Sequence, residues 1–92
     1  MGHHRRPPEK ERALQVLLVE DNVGDAQLLL EHTEGQRPGI ELKRVADLAD
    51  ALQELAQHEP DAILLDLGLP DSQGVETLER VRNVAPDIPV VV

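Results

Sequence analysis

Apolar residues fall into short blocks along this chain, and their spacing alternates between that of strands and that of helices. Leu14 to Val19 is nearly all apolar and ends in Glu20, Asp21 and Asn22, which reads as an interior strand tipped with carboxylates. From Gly24 to Glu34 the period changes: Ala26, Leu29, Leu30 and Thr33 share one helical face. Asn22 suits the N-cap of that helix and Asp25 the positive end of its dipole. Gly35 and the turn Arg37-Pro38-Gly39 stop it. Ile40, Leu42 and Val45 alternate imperfectly with polar residues, the pattern of an edge strand with one wet face. Asp47 then caps a helix carrying Leu48, Ala51, Leu52 and Leu55 at i, i+3, i+4, i+7 spacing, which His58, Glu59 and Pro60 end.

The next run, Ala62 to Leu65, delivers Asp66 to the point where Gly68 and Pro70 break the pattern. An unbroken apolar run bounded by breakers reads as a central parallel strand buried on both faces. A loop from Leu67 to Gln73 follows. A third amphipathic helix, Gln73 to Ala85, is expected to bury Val75, Leu78, Val81 and Ala85. Asp87-Ile88-Pro89 breaks it, and Ile88 to Val92 begins a fourth strand. The order β-α-β-α-β-α-β implies right-handed crossovers and a doubly wound parallel α/β sheet with helices on both faces.

Residues 1–12 carry no periodicity and read as a disordered lead-in to a single domain over 13–92. His3 and His4 are adjacent, and two neighbouring ligands do not complete a metal site. Eighteen acidic residues against nine basic ones give a net charge of −9, which argues against nucleic acid or anionic membrane as a direct partner. Cysteine is absent, so disulfides and thiolate chemistry are excluded. No apolar run approaches the ~20 residues needed to span a bilayer, and a cytoplasmic protein is expected. Phe, Tyr and Trp are also absent, so the core is aliphatic and base stacking on aromatic platforms is excluded.

In open parallel sheets, chemistry collects beyond the carboxyl ends of the strands. There Glu20 and Asp21 would meet Asp66, if the first and third strands are neighbours. Three like charges at one rim call for a hard cation, and oxygen-only ligands suit Mg²⁺, Mn²⁺ or Ca²⁺. A carboxylate can also act as the nucleophile in phosphoryl transfer. The bland alternative, solvated strand-end acids, fits any one of these residues better than it fits the combination. His58 reads as exposed or as a C-terminal partner of the helix dipole rather than as a ligand.

Val16 to Asn22 with Asp25, then Asp61 to Asp71 with Gly74, then Ile88 to Val92 together resemble the receiver domain of two-component response regulators. The paired acids after the first strand and the Asp-x-x-x-Pro-x-x-x-Gly pattern from Asp66 through Pro70 to Gly74 carry the likeness, which runs from about Leu14 to Val92. The resemblance implies a flavodoxin-like receiver fold, with Asp66 as phosphoacceptor and Asp21 as a direct Mg²⁺ ligand. It implies further that Glu20 acts on the metal largely through water, that Gly68 offers its backbone carbonyl, and that Pro70 and Gly74 shape the loop. A sensor histidine kinase or phosphotransfer protein would be the donor. Any phosphoryl transfer would be self-directed rather than enzymatic turnover.

Receivers of that family have five strands in the order 2-1-3-4-5. The present sequence matches through the fourth, so the expectation is a partial receiver of strand order 2-1-3-4. A family Ser or Thr after the fourth strand and a family Lys at the end of the fifth have no counterpart here, which predicts impaired phosphoryl transfer and switching. An uncovered apolar sheet area of ~400 Å² at ~25 cal/mol per Å² is comparable to the whole stability of a domain, ~5–15 kcal/mol. Self-association through Ile88 to Val92, or over the uncovered sheet face, is therefore expected. A non-phosphorylated interaction or decoy module that binds a kinase or partner through the retained half of the fold is the competing reading. A Mg²⁺-dependent phosphotransferase or hydrolase of another family is weakened by the lack of a Walker loop or nucleophile elbow.

Overall fold

The computed structural model describes residues 13–22, 24, 25, 27, 28, 31 and 39–92. The lead-in over 1–12, with His3 and His4, lies outside the described residues, as do Ala26, Leu29, Leu30, Thr33 and the Gly35 to Pro38 stop. Strand β1, Leu14–Val19, is followed by a helix, α1, described at Gly24, Asp25, Gln27, Leu28 and Glu31. Then come β2 (Ile40–Val45), α2 (Leu48–Gln57), β3 (Ala62–Leu65), the two-residue strands β4 (Gly68–Leu69) and β5 (Ser72–Gln73), α3 (Val75–Val84) and β6 (Val90–Val91).

The main sheet has the order β2-β1-β3-β6 and is parallel throughout. This is the expected 2-1-3-4 arrangement, with β6 in the fourth place. Its register pairs Val19 with Val45 on one side and with Leu65 on the other. Because a one-residue slip would turn every side chain to the opposite face, this register decides which residues meet. Leu17, Val19, Ile63 and Leu65 face α2 and α3 and join Leu48, Ala51, Leu55, Leu69, Val81 and Ala85 in one aliphatic core. Leu52 and Leu78 pack against its margin.

Four details depart from the sequence expectation. The stretch from Leu67 to Gln73 is a small antiparallel hairpin, with Gly68 opposite Gln73 and Leu69 opposite Ser72, rather than an unstructured loop. Pro70 and Asp71 occupy its turn, where proline presets the backbone angle. Pairing of Gln73 delays the helix, which starts at Val75 after Gly74 takes φ +68°, ψ −151°, a conformation costly for any residue with a Cβ. That start leaves Val75 67 % exposed and turns Thr77 into the core instead. The Thr77 hydroxyl is satisfied there by the Ser72 hydroxyl at 2.7 Å, so a polar side chain is buried without an orphaned group.

The third departure is in β3, where Ile63 and Leu65 are buried but Ala62 and Leu64 are only half-buried. One face of this central strand is therefore less covered than an unbroken apolar run implies. The fourth is at the end of the chain, where β6 is confined to Val90–Val91. Ile88 sits in a bend whose N–H reaches the Ala85 carbonyl, and Pro89 has no N–H to pair, although its carbonyl accepts from Ile63 at 2.9 Å.

The amino end of α2 is closed by two acids. Asp47 accepts from the Asp50 N–H at 2.8 Å, as its N-cap position requires. From the hairpin turn, Asp71 accepts from the Leu48 N–H at 2.8 Å and the Ala49 N–H at 3.0 Å. With the Ala51 N–H bonded to the Asp47 carbonyl, every amide of the first helical turn is satisfied. The two amide bonds hold the Asp71 carboxyl below its ordinary value of 3.8. A depressed carboxyl stabilises the fold above the unfolded-state value and loses that contribution as pH falls through the folded-state value. Thermal melts from neutrality down to about pH 3 should therefore show a stability loss concentrated below about pH 4. An Asp71→Asn variant should melt lower at neutral pH and lose part of that acid limb. An unchanged acid limb would show that the tether contributes nothing.

Candidate metal and phosphoacceptor site

The paired strands β1 and β3 end in acid at the same level. In register, Val19 lies beside Leu65, and the Asp66 N–H donates to the Val19 carbonyl at 3.0 Å, so the residues that follow, Glu20 and Asp66, emerge side by side. Asp21 joins them. One carboxylate oxygen from each of Glu20, Asp21 and Asp66 lies within 4.8 Å of the others, with Glu20 and Asp66 half-buried and Asp21 exposed. The juxtaposition thus follows from parallel pairing of two runs that each end in an acid.

Local backbone donors orient two of the three carboxylates. Asp66 Oδ1 accepts from the Gly68 N–H at 2.9 Å, a turn closed by an acid on the amide two residues on. Gly68 meets no crowding that would demand glycine, because a Cβ there would stand 3.6 Å from Asp66 Oδ1. Glu20 Oε2 accepts from the Asn22 N–H at 3.2 Å. Asn22 in turn caps α1, its Oδ1 accepting from the Asp25 N–H at 2.9 Å. Asp25 lines the same groove as Glu20 and Asp66.

Burial raises the Glu20 carboxyl above its ordinary 4.5, and the neighbouring charges of Asp66 and Asp25 add to the rise, while the Asn22 amide opposes it. A carboxyl with a raised folded-state value weakens the fold as pH rises past that value, so the metal-free site is a point of electrostatic strain. A bound cation reverses that sign. All three carboxylates are hard oxygen donors, and two of them, Glu20 and Asp66, stand at half-buried positions where an opposite charge would be favourable. The donor set fits Mg²⁺, which binds through one or two carboxylates and keeps several waters.

Beside the acids, Leu18, Leu64, Leu67, Val91 and Val92 line an open groove of about 580 Å³ on the sheet face opposite α2 and α3. Pro70 and Gly74 stand further along the hairpin, the first in its turn and the second at the start of α3. His58 is exposed at the end of α2, away from the acids, its backbone N–H closing on the Glu54 carbonyl. Sequence reasoning did not single out Arg44. Its Nε donates to the Glu20 carbonyl at 2.8 Å and its Nη2 to the Asp21 carbonyl at 3.1 Å. Among the described residues, no helix is long and apolar enough to cross a membrane.

The family model of the response regulator receiver domain matches residues 16–92. Among individual proteins, regulatory protein LuxO of Vibrio cholerae is 42% identical over 52 residues, covering 56% of this chain and 11% of LuxO. The autoinducer 2 sensor kinase/phosphatase LuxQ of the same species is 36% identical over 85 residues, covering 92% of this chain and 10% of LuxQ. The crystal structure of the phosphorylated cyanobacterial phytochrome response regulator RcpA superposes with a TM-score of 0.77 at 33% identity, covering 85% of this chain and 62% of that one. The chain thus spans about a tenth of these two curated relatives and under two thirds of that structure. With a flavodoxin-like sheet in the order 2-1-3-4, acids at the ends of its two central strands and a family match over most of its length, the chain belongs to the response regulator receiver domains of two-component signalling.

Proposed function

We propose that this receiver accepts a phosphoryl group on Asp66, with Mg²⁺ held by Asp21, Asp66 and the Gly68 carbonyl, and with Glu20 acting on the metal through water. The observation that carries this reading is the approach of three carboxylates within 4.8 Å at the ends of adjacent strands. A carboxylate oxygen of Asp66 attacks phosphorus in the donor, and the bond from phosphorus to the donor's nitrogen or oxygen breaks. The leaving group keeps that electron pair and takes a proton from solvent. An acyl phosphate on Asp66 remains. A hard divalent cation in the site would screen the charge between the acids and the incoming phosphoryl oxygens. The Gly68 N–H on Oδ1 aims the Asp66 carboxyl during the attack.

Incubation with a small acyl-phosphate donor and Mg²⁺, followed by intact-mass measurement, is expected to show a slow and incomplete gain of one phosphoryl group, in line with the impaired transfer expected from the sequence, that is lost with a chelator. Absence of any gain, with Mg²⁺ still bound, would favour the non-phosphorylated interaction module. The natural donor in this reading is a sensor histidine kinase or a phosphotransfer protein.

Self-association through Ile88 to Val92 belongs to the same proposal. In the described sheet β6 is an edge, and Val91 and Val92 are 56 % and 67 % exposed. An apolar edge strand offers unpaired backbone groups to a second copy. Light scattering is expected to give a mass above that of one chain at micromolar concentration. A stable monomer that unfolds cooperatively would refute it.

A further inference from the structure

We propose that Arg44 is a positioning residue for the acidic site, pinning the turn from which Glu20 and Asp21 project. The inference rests on the Mg²⁺ reading above. Arg44 belongs to β2 and pairs in register with Leu18, two residues before Glu20. It is half-buried on the edge strand, and its guanidinium reaches forward to two consecutive carbonyls, those of Glu20 and Asp21. A planar fork that bonds adjacent carbonyls fixes the two peptide planes following Glu20 and Asp21. The Glu20 N–H, bonded to the Val45 carbonyl at 3.0 Å, fixes the plane before Glu20. Three successive peptide planes of the acidic turn are therefore held by β2, while the Asn22 N–H orients the Glu20 carboxylate from within the turn.

This arrangement makes two opposite demands on a cation. As a positive charge near the acids, Arg44 repels it. As the holder of the two carbonyls, it keeps the ligand directions fixed and spares the metal the work of ordering the turn. Groups that orient metal ligands from outside commonly contribute ~10–100-fold to affinity, whereas a charge that keeps part of its surface in water acts through a screened medium and contributes less. Positioning therefore outweighs repulsion. Lysine keeps the charge but loses the fork, and glutamine loses both, so the two substitutions separate the effects.

The test is calorimetric titration of the wild-type chain, Arg44→Gln and Arg44→Lys with MgCl₂, beside far-UV melts of each in chelator. Arg44→Gln should bind Mg²⁺ about tenfold more weakly, the lower end of the range for such outer groups. Arg44→Lys should also bind more weakly, though by less. Both losses should exceed what the change in metal-free melting temperature explains. Wild-type affinity in both variants, or tighter binding in Arg44→Gln, would overturn the proposal and leave Arg44 a mere local charge. If Arg44→Gln does not fold, Arg44→Lys decides alone, since unchanged affinity there overturns the role of the fork. A wild-type chain that binds no Mg²⁺ would overturn the metal reading and the Arg44 role together, a result distinguishable from failure of Arg44 alone.

Discussion

Asp66→Asn should abolish phosphoryl incorporation while leaving the fold intact. The amide is close in shape to the carboxylate and its oxygen can still accept the Gly68 N–H, so the local turn survives. What disappears is the anionic oxygen that the proposed mechanism has attacking phosphorus. Mass spectrometry after treatment with an acyl-phosphate donor should show no gain in the variant under conditions that modify the wild type. Two further readouts should move in opposite directions. Mg²⁺ affinity should fall by about tenfold or more, because one of the two carboxylates proposed to hold the metal directly is gone. Metal-free thermal stability should rise by about 1–4 °C, because Glu20 loses a like-charged neighbour at a partly screened site. A phosphoryl gain that persisted in Asp66→Asn would move the acceptor to another acid, with Asp21 the nearest candidate.

The rim of this site was legible because two apolar runs each end in an acid, and parallel strands in phase deliver their ends to the same level. Asn22 and Asp47 as helix caps were legible for a related reason, since capping is local and its partners lie three residues away. Contacts made between a side chain and a distant backbone were not. Arg44 reaches its carbonyls across 23 and 24 residues, and Asp71 reaches its amides across 22 and 23. Neither leaves a periodic trace, because each depends on a register fixed only after the strands pair. The hairpin of β4 and β5 escaped because its strands are two residues long, although Pro70-Asp71 carries turn chemistry. Thr77 escaped for a chemical reason. A hydroxyl counts as polar in any hydrophobic pattern, yet Ser72 satisfies it and lets it be buried.

The second large effect concerns which face of the sheet carries the fold. Ile63 is fully buried at the middle of the chain's central strand, between Leu17 of β1 and Val90 of β6 in register. Its side chain lies in the core beneath α2 and α3. Its successor Leu64 points to the opposite face, is half-buried and lines the open groove. Truncating Ile63 removes transferred methylenes and leaves a cavity that close-packed neighbours fill only in part, a loss of about 2–5 kcal/mol. Against a total of ~5–15 kcal/mol that is enough to unfold a marginal domain. Leu64→Ala should lose about half as much or less, since part of its surface already meets water. The fourth strand should register the difference, because β6 is held by only two register pairs, Ile63 with Val90 and Leu64 with Val91. Urea unfolding followed by far-UV circular dichroism gives the two stabilities, and amide exchange of Val91 and its neighbours reports on β6. If Leu64→Ala proved as damaging as Ile63→Ala, the groove face would have to be covered in solution. Self-association over that face would then be the leading explanation.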